Sequence, residues 1–148
     1  MHSITKWECA PPELRVDLWD WEGRTAHARY NSFWIGDANS QYAIFVDGYS
    51  GDAGDSLTLH NGMRFTTPDR DNDIWTSGNC VDLVFGSWWH RRCHHSNLNG
   101  PYSTTATVLL HQGVVWYHWK NSYEYSIKRA EMKVRPRKCQ EKCAAPCM

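Results

Sequence analysis

Between Phe65 and Val114 the chain runs for about fifty residues with almost no hydrophobic periodicity, and this limits its folds more than any other feature. A compact domain carries so long an irregular stretch only if something other than a sheet or helix organises it. Trp75, Phe85, Trp88 and Trp89 argue against disorder, because unfolded segments are poor in aromatic residues. A metal ion and a disulfide are the natural organisers. The stretch holds material for both. "TTPDRDNDIWTSGNC" (66–80) sets Asp69, Asp71 and Asp73 at alternate positions and closes on Cys80, and Cys93 follows in "HRRCHH".

Calcium takes about six to eight oxygens from carboxylates, backbone carbonyls and water. An alternating Asp-x-Asp backbone can turn two carboxylates towards one point. The EF-hand pattern fails here, since its glycine position falls on Ile74 and its bidentate glutamate on Cys80. A site would therefore complete its shell with carbonyls and water. The bland alternative is a solvated acidic turn, for which aspartate and asparagine are the usual residues.

Six cysteines allow many pairings, and the sequence does not choose among them. Cys80 and Cys93 are the nearest isolated pair. A bridge between them would staple the irregular stretch with ~3 kcal/mol in the chain-entropy model and favours an oxidising compartment. Cys9 lies near the start, and Cys139, Cys143 and Cys147 crowd the tail.

Sixteen basic and sixteen acidic residues cancel, so no global field draws in nucleic acid or anionic membrane. No apolar run approaches the ~20 residues of a membrane span; "AIFV" and "VLL" are among the longest. The opening "MHSITKWECAPPEL" has no apolar core of a signal peptide. Elsewhere period-two alternation predicts strands. Leu14, Val16 and Leu18 share one face of "ELRVDLWDW", Tyr42, Ile44 and Val46 one face of "YAIFVDGY", and Ala130, Met132 and Val134 oppose Arg129, Glu131, Lys133 and Arg135. "RTAHARYNSFWIGD" reads as a further strand, and "GDAGDSLTLHNG" as one short helix capped by Asp55 or Ser56. After Pro136 the composition changes, which divides the chain into 1–136 and a cysteine-rich tail, 137–148.

"FWIGDANSQYAIFVDGYSGDAGDSLTLHNGMRFTTPDRDND", "NCVDLVFGSWWHRRCHHSNLNGPY" and "GVVWYHWKNSYEYSIKRAEMKVRP" resemble the C-terminal globular domain of fibrinogen and its relatives: ficolins, tachylectins, tenascins and angiopoietins. The resemblance runs from about Leu14 to Pro136 and makes 1–136 a partial domain, since the family's earlier, N-terminal part has no counterpart. It implies a secreted α+β domain, with a twisted antiparallel sheet, short helices and a loop-rich calcium-binding subdomain. Asp71 and Asp73 match the family's carboxylate ligands, with carbonyls near Trp75 and Ser77 or Gly78 completing the shell. Cys80 and Cys93 match its disulfide, and Arg92–Cys93 its often-cis peptide bond. The missing part predicts apolar sheet surface left uncovered, several hundred Å² of it.

Lectin-like members of that family hold acetyl groups in a pocket beside the calcium site. The resemblance puts Arg92, Cys93, His94, Leu110 and His111 around it, with a further wall residue at Val84 or Phe85. Leu110 and His111 stand where acetyl-binding members often carry Tyr-Ala. "GVVWYHWKNSYEYSI" is closer to tenascins and angiopoietins, so two readings stand: a lectin-type module of innate immunity for acetylated glycans, and a matrix or receptor-ligand module for proteins. "HRRCHH" suggests a thiol nucleophile or zinc site at His90, Cys93, His94 and His95. A disulfide at Cys93 would remove the thiolate, and His90 and His95 read as exposed loop residues. No enzyme is therefore expected. The basic stretch of Lys128, Arg129, Lys133, Arg135, Arg137 and Lys138 reads mainly as a solvated strand face. Cys9, Cys139, Cys143 and Cys147 are expected to link chains into a homo-oligomer.

Overall fold

The computed structural model describes residues 10–137. Cys9, Cys139, Cys143 and Cys147, on which the oligomer expectation depends, lie outside the described residues, as does Lys138. Four antiparallel strands form the main sheet in the order β3-β2-β1-β6: β1 Glu13–Trp19, β2 Thr25–Ile35, β3 Ile44–Gly51 and β6 Arg129–Arg135. With the short helices this is the expected α+β class. In β1, Leu14, Val16 and Leu18 are fully buried, and across the ladder they face Tyr30, Ala28 and Ala26 of β2. That face packs on Leu57, Trp88, Trp116 and Ile127 from the loop-rich half, giving one continuous core.

The opposite face is a ladder of charge. Glu13 pairs with Arg29 and Arg135, Asp17 with Arg15 and Lys133, and Glu131 with Arg129 and Lys133. Lys133 and Arg135 of the basic stretch are thus tied into cross-strand pairs on a solvated face, while Arg129 pairs with Glu131 on its own strand. The β1–β2 turn closes around Asp20, whose buried carboxylate accepts from the N–H groups of Glu22 and Arg24, from Arg24 Nε, and from Lys120 Nζ at 2.7 Å.

Two strand expectations need correction. Tyr42 does not share the inward face with Ile44 and Val46; it precedes β3, adopts φ 57° and is exposed. Its carbonyl accepts from Trp89 Nε1, which draws the backbone out of the strand. On β6, Met132 and Val134 stay exposed, because β6 is the outer strand of the sheet.

The irregular stretch carries α1 (Cys80–Val84) and the two-residue strand β4 (Ser96–Asn97), and directly after it come β5 (Val115–Trp116) and α2 (Tyr117–Lys120). Asn79 caps α1 by accepting from Val81 N–H. The helix expected after Gly54 is only a 3-10 turn, Thr58–His60. Asp55 holds it by accepting from the N–H groups of Leu57 and Thr58, while Ser56 bonds His118 instead. Trp88 is buried as core, with Trp89 packed edge-on against it.

Candidate functional site

The 91–96 segment is held from three sides. Cys80 and Cys93 form the disulfide, with Cα atoms 5.6 Å apart, and Arg92–Cys93 is cis. Ile74 N–H donates to Arg91 O at 3.0 Å, joining the acidic loop to it. From below, the fully buried His60 donates from Nδ1 to Trp89 O (2.7 Å) and accepts at Nε2 from the N–H groups of His95 and Ser96. Those bonds fix a neutral ring, and burial pushes its pKa down to about 4. Sequence reasoning missed His60, since a lone histidine in a turn gives no signal of partners some thirty residues away.

Above this support lies a cavity of about 240 Å³ lined by Trp75, Leu83, Arg92, Cys93, His94, His111 and Tyr123. Four of the five expected pocket residues therefore come together. Leu110 does not join them; it is exposed on the far side of a turn at His111, whose backbone is left-handed (φ 64°). His111 N–H donates to Tyr123 O at 3.0 Å, and this clasp sets the two rings 4.5 Å apart. Tyr123 thus supplies the aromatic wall that the sequence reading sought elsewhere. Val84 is sealed in the core and Phe85 faces solvent, so Leu83 fills the place assigned to them.

His94 is 4% exposed, and neither ring nitrogen has a hydrogen-bond partner. Its ring lies edge-on to His111 (5.3 Å) and Tyr123 (5.5 Å). Burial first, then the nearby histidines, lower its pKa to about 2. Among the described residues, the backbone N–H groups of Cys93 and His94 also donate to no protein acceptor. Buried polar groups are ordinarily satisfied. A cluster left unsatisfied beside an aromatic wall is chemically equipped to receive a small polar ligand with an apolar end.

Asp71 and Asp73 converge. Asp73 N–H donates to Asp71 Oδ1, and Asp73 itself accepts from the N–H groups of Trp75 (2.8 Å) and Cys80 (2.8 Å). Burial, and after it the facing Asp71 carboxylate, push Asp73 above the usual carboxylate range. Among the described residues neither aspartate makes an ion pair, and the carbonyls of Trp75, Ser77 and Gly78 accept no hydrogen bond. Two mutually repelling carboxylates with free carbonyls nearby fit a hard divalent cation such as calcium. No group of three or more His, Cys, Asp or Glu is placed to hold a metal among the described residues. A cation here would have to complete its shell from carbonyls and water.

The "HRRCHH" histidines do not act as one unit. His90 is not an exposed loop residue: it is buried, its Nε2 bonding Gly86 O at 2.7 Å. His95 turns away towards Tyr117 and His118. Cys93 is disulfide-bonded, so it offers no nucleophilic thiol.

Comparison with known proteins agrees with this architecture. The family profile described as fibrinogen beta and gamma chains, C-terminal globular domain, matches residues 1–137. Human Fibrinogen C domain-containing protein 1 is 47% identical over 141 residues, covering 92% of this chain and 30% of that protein. Chicken (Gallus gallus) Tenascin is 52% identical over 124 residues, 84% of this chain and 6% of that protein. The fibrinogen-like globe domain of human ANGPTL2 superposes with a TM-score of 0.82 at 40% identity, covering 86% of this chain and 59% of that one. Lamprey fibrin D-dimer, complexed with the peptide Gly-His-Arg-Pro-amide, gives 0.80 at 32% identity, covering 86% and 46%. This chain thus spans less than a third of these two curated relatives. On the profile match and these identities, it belongs to the family of fibrinogen C-terminal globular domains.

Proposed function

We propose that this domain is an extracellular, calcium-dependent recognition module that binds acetyl groups on glycans in the cavity beside the Cys80–Cys93 bridge. The observation that carries the reading is the buried, unpartnered His94 next to the N–H groups of Cys93 and His94. An acetamide carbonyl accepts from those donors, while its methyl group packs against Tyr123, Trp75 and Leu83. Calcium bound at Asp71 and Asp73 would neutralise their repulsion and steady the loop that carries Trp75. The site is small, so single contacts are weak; chains linked through Cys9, Cys139, Cys143 or Cys147 would gain strength by avidity. The test is retention on N-acetylated resin with calcium. Elution by EDTA or free acetate supports the reading, and flow-through in calcium refutes it.

A protein-binding role, in the manner of a matrix or receptor-ligand module, is the second reading. It is favoured by a shallow groove of about 700 Å³ at 101–112, where Tyr102 and Leu109 stand exposed. Pull-down of an extracellular protein that Leu109→Asp abolishes, with resin retention unchanged, would select it.

A further inference from the structure

The two outer strands of the main sheet end differently. On β3 the inward residues Ile44 and Val46 are buried. On β6 the inward residues face the buried side of β1, in the pairs Leu14–Val134, Val16–Met132 and Leu18–Ala130. Yet Val134 is 53% exposed and Met132 37%. The apolar face of the sheet therefore continues past the core and ends uncovered among the described residues. β6 is also regular: it pairs with β1 without a break from Arg129 to Arg135, with no bulge, no proline and no inward charge. Sheet edges are ordinarily blunted by such devices, because their unpaired N–H and C=O groups template a further strand. Among the described residues nothing meets the outer edge of β6. Pro12 O accepts from Phe33 N–H, so the chain entering β1 runs beside β2, on the side opposite β6.

We infer that β6 pairs antiparallel with β6 of a second copy of this chain, about a two-fold axis at Met132, so that the two sheets become one. The charges select both that occupant and that register. With Met132 on the axis, Glu131 of each copy faces Lys133 of the other on the solvated side, and Ala130 meets Val134 on the apolar side. Arg129 then lies opposite Arg135, but each already holds a carboxylate of its own chain, Glu131 and Glu13. Moving the axis by one residue sets Lys133 against Lys133 or Glu131 against Glu131, and like charges directly opposite are destabilising. The contact is one strand long, so it is weak and reversible. It uses neither the acidic loop nor the cavity beside the disulfide, and it needs no interchain thiol.

The test is sedimentation velocity of the whole chain over a concentration series, with Cys9→Ser, Cys139→Ser, Cys143→Ser and Cys147→Ser to leave only the Cys80–Cys93 bridge. The chain should pass from monomer to dimer as its concentration rises. Met132→Lys brings two ammonium groups together on the axis and should abolish the dimer. Glu131→Lys and Lys133→Glu each turn both opposite-charge pairs into like-charge ones, and each should weaken self-association about tenfold. Mixing these two charge variants restores both pairs in a heterodimer, which should form more tightly than either variant pairs with itself. A variant that merely loosens the fold gains no such rescue, and near-UV circular dichroism should be unchanged in each. A chain that stays monomeric throughout, a dimer indifferent to Met132→Lys, or a mixture no tighter than its two parents overturns the inference.

Discussion

Acid should loosen this domain well before its carboxylates are neutralised, and His60 is the reason. The ring is fully buried, donating to Trp89 O and accepting from His95 and Ser96, so the fold holds it neutral. Its pKa falls from the ordinary 6.5 to about 4. Between those values the unfolded chain binds a proton that the folded chain does not, so stability rises with pH across the window. The contribution is complete above pH 6.5 and is lost as pH falls towards 4. At ~1.4 kcal/mol per pH unit, His60 alone removes ~3 kcal/mol, a large share of the ~5–15 kcal/mol typical of a domain. His94, lowered to about 2, pulls in the same direction and continues below pH 4. Urea unfolding followed by tryptophan fluorescence, at half-unit steps from pH 7.5 to 4.5, measures the slope. His60→Gln keeps one donor and one acceptor but does not titrate. It should be less stable than wild type at pH 7.5 and visibly flatter in slope. A wild-type slope equal to that of His60→Gln would refute the reasoning.

Three further outcomes follow from the same geometry. Replacing both Cys80 and Cys93 by Ala should cost ~3 kcal/mol in urea unfolding; a cost below ~1 kcal/mol would mean that packing alone orders the 66–114 stretch. Asp20→Ala leaves the Lys120 ammonium half-enclosed over Trp119 and Tyr125 without its carboxylate. It should destabilise the fold by ~3–5 kcal/mol at neutral pH. Asp20 is held at about pKa 2, so wild type should lose part of that contribution between about pH 4 and pH 2, and the variant should not. Asp73→Asn removes one member of a repelling pair, so thermal unfolding should show no calcium-induced rise in Tm. Wild type should gain about 2.7 kcal/mol at a hundredfold excess of calcium over Kd.

What could be read from the chain, and what could not, divides along contact distance. The alternation of Leu14, Val16 and Leu18 reports a buried strand face because period two is a local property of the backbone. Tyr42 breaks the pattern through a hydrogen bond to Trp89, 47 positions away. Met132 and Val134 have the same alternation as β1 but occupy an outer strand, and periodicity carries no information on what lies beyond it. The spacing of Asp71 and Asp73 and the isolation of Cys80 and Cys93 drew attention to the site, and the family motifs led to Arg92, Cys93, His94 and His111. Leu110 lies outside the cavity lining, exposed next to the left-handed turn at His111, which periodicity does not report. Tyr123 was invisible for the reverse reason: a backbone bond from His111, twelve residues earlier, brings it to the cavity.

The proposed calcium-dependent acetyl binding requires the acidic loop and the cavity beside the Cys80–Cys93 bridge to be one thermodynamic unit, joined through Ile74 N–H to Arg91 O and that bridge. Linkage makes that directly measurable, because two coupled sites must raise each other's affinity by the same factor. The measurement is calcium affinity by calorimetry with and without a saturating acetylated sugar, together with sugar affinity with and without saturating calcium. Equal enhancement in both directions is the expected result. A calcium affinity indifferent to the sugar, or sugar binding undiminished in chelator, would contradict it.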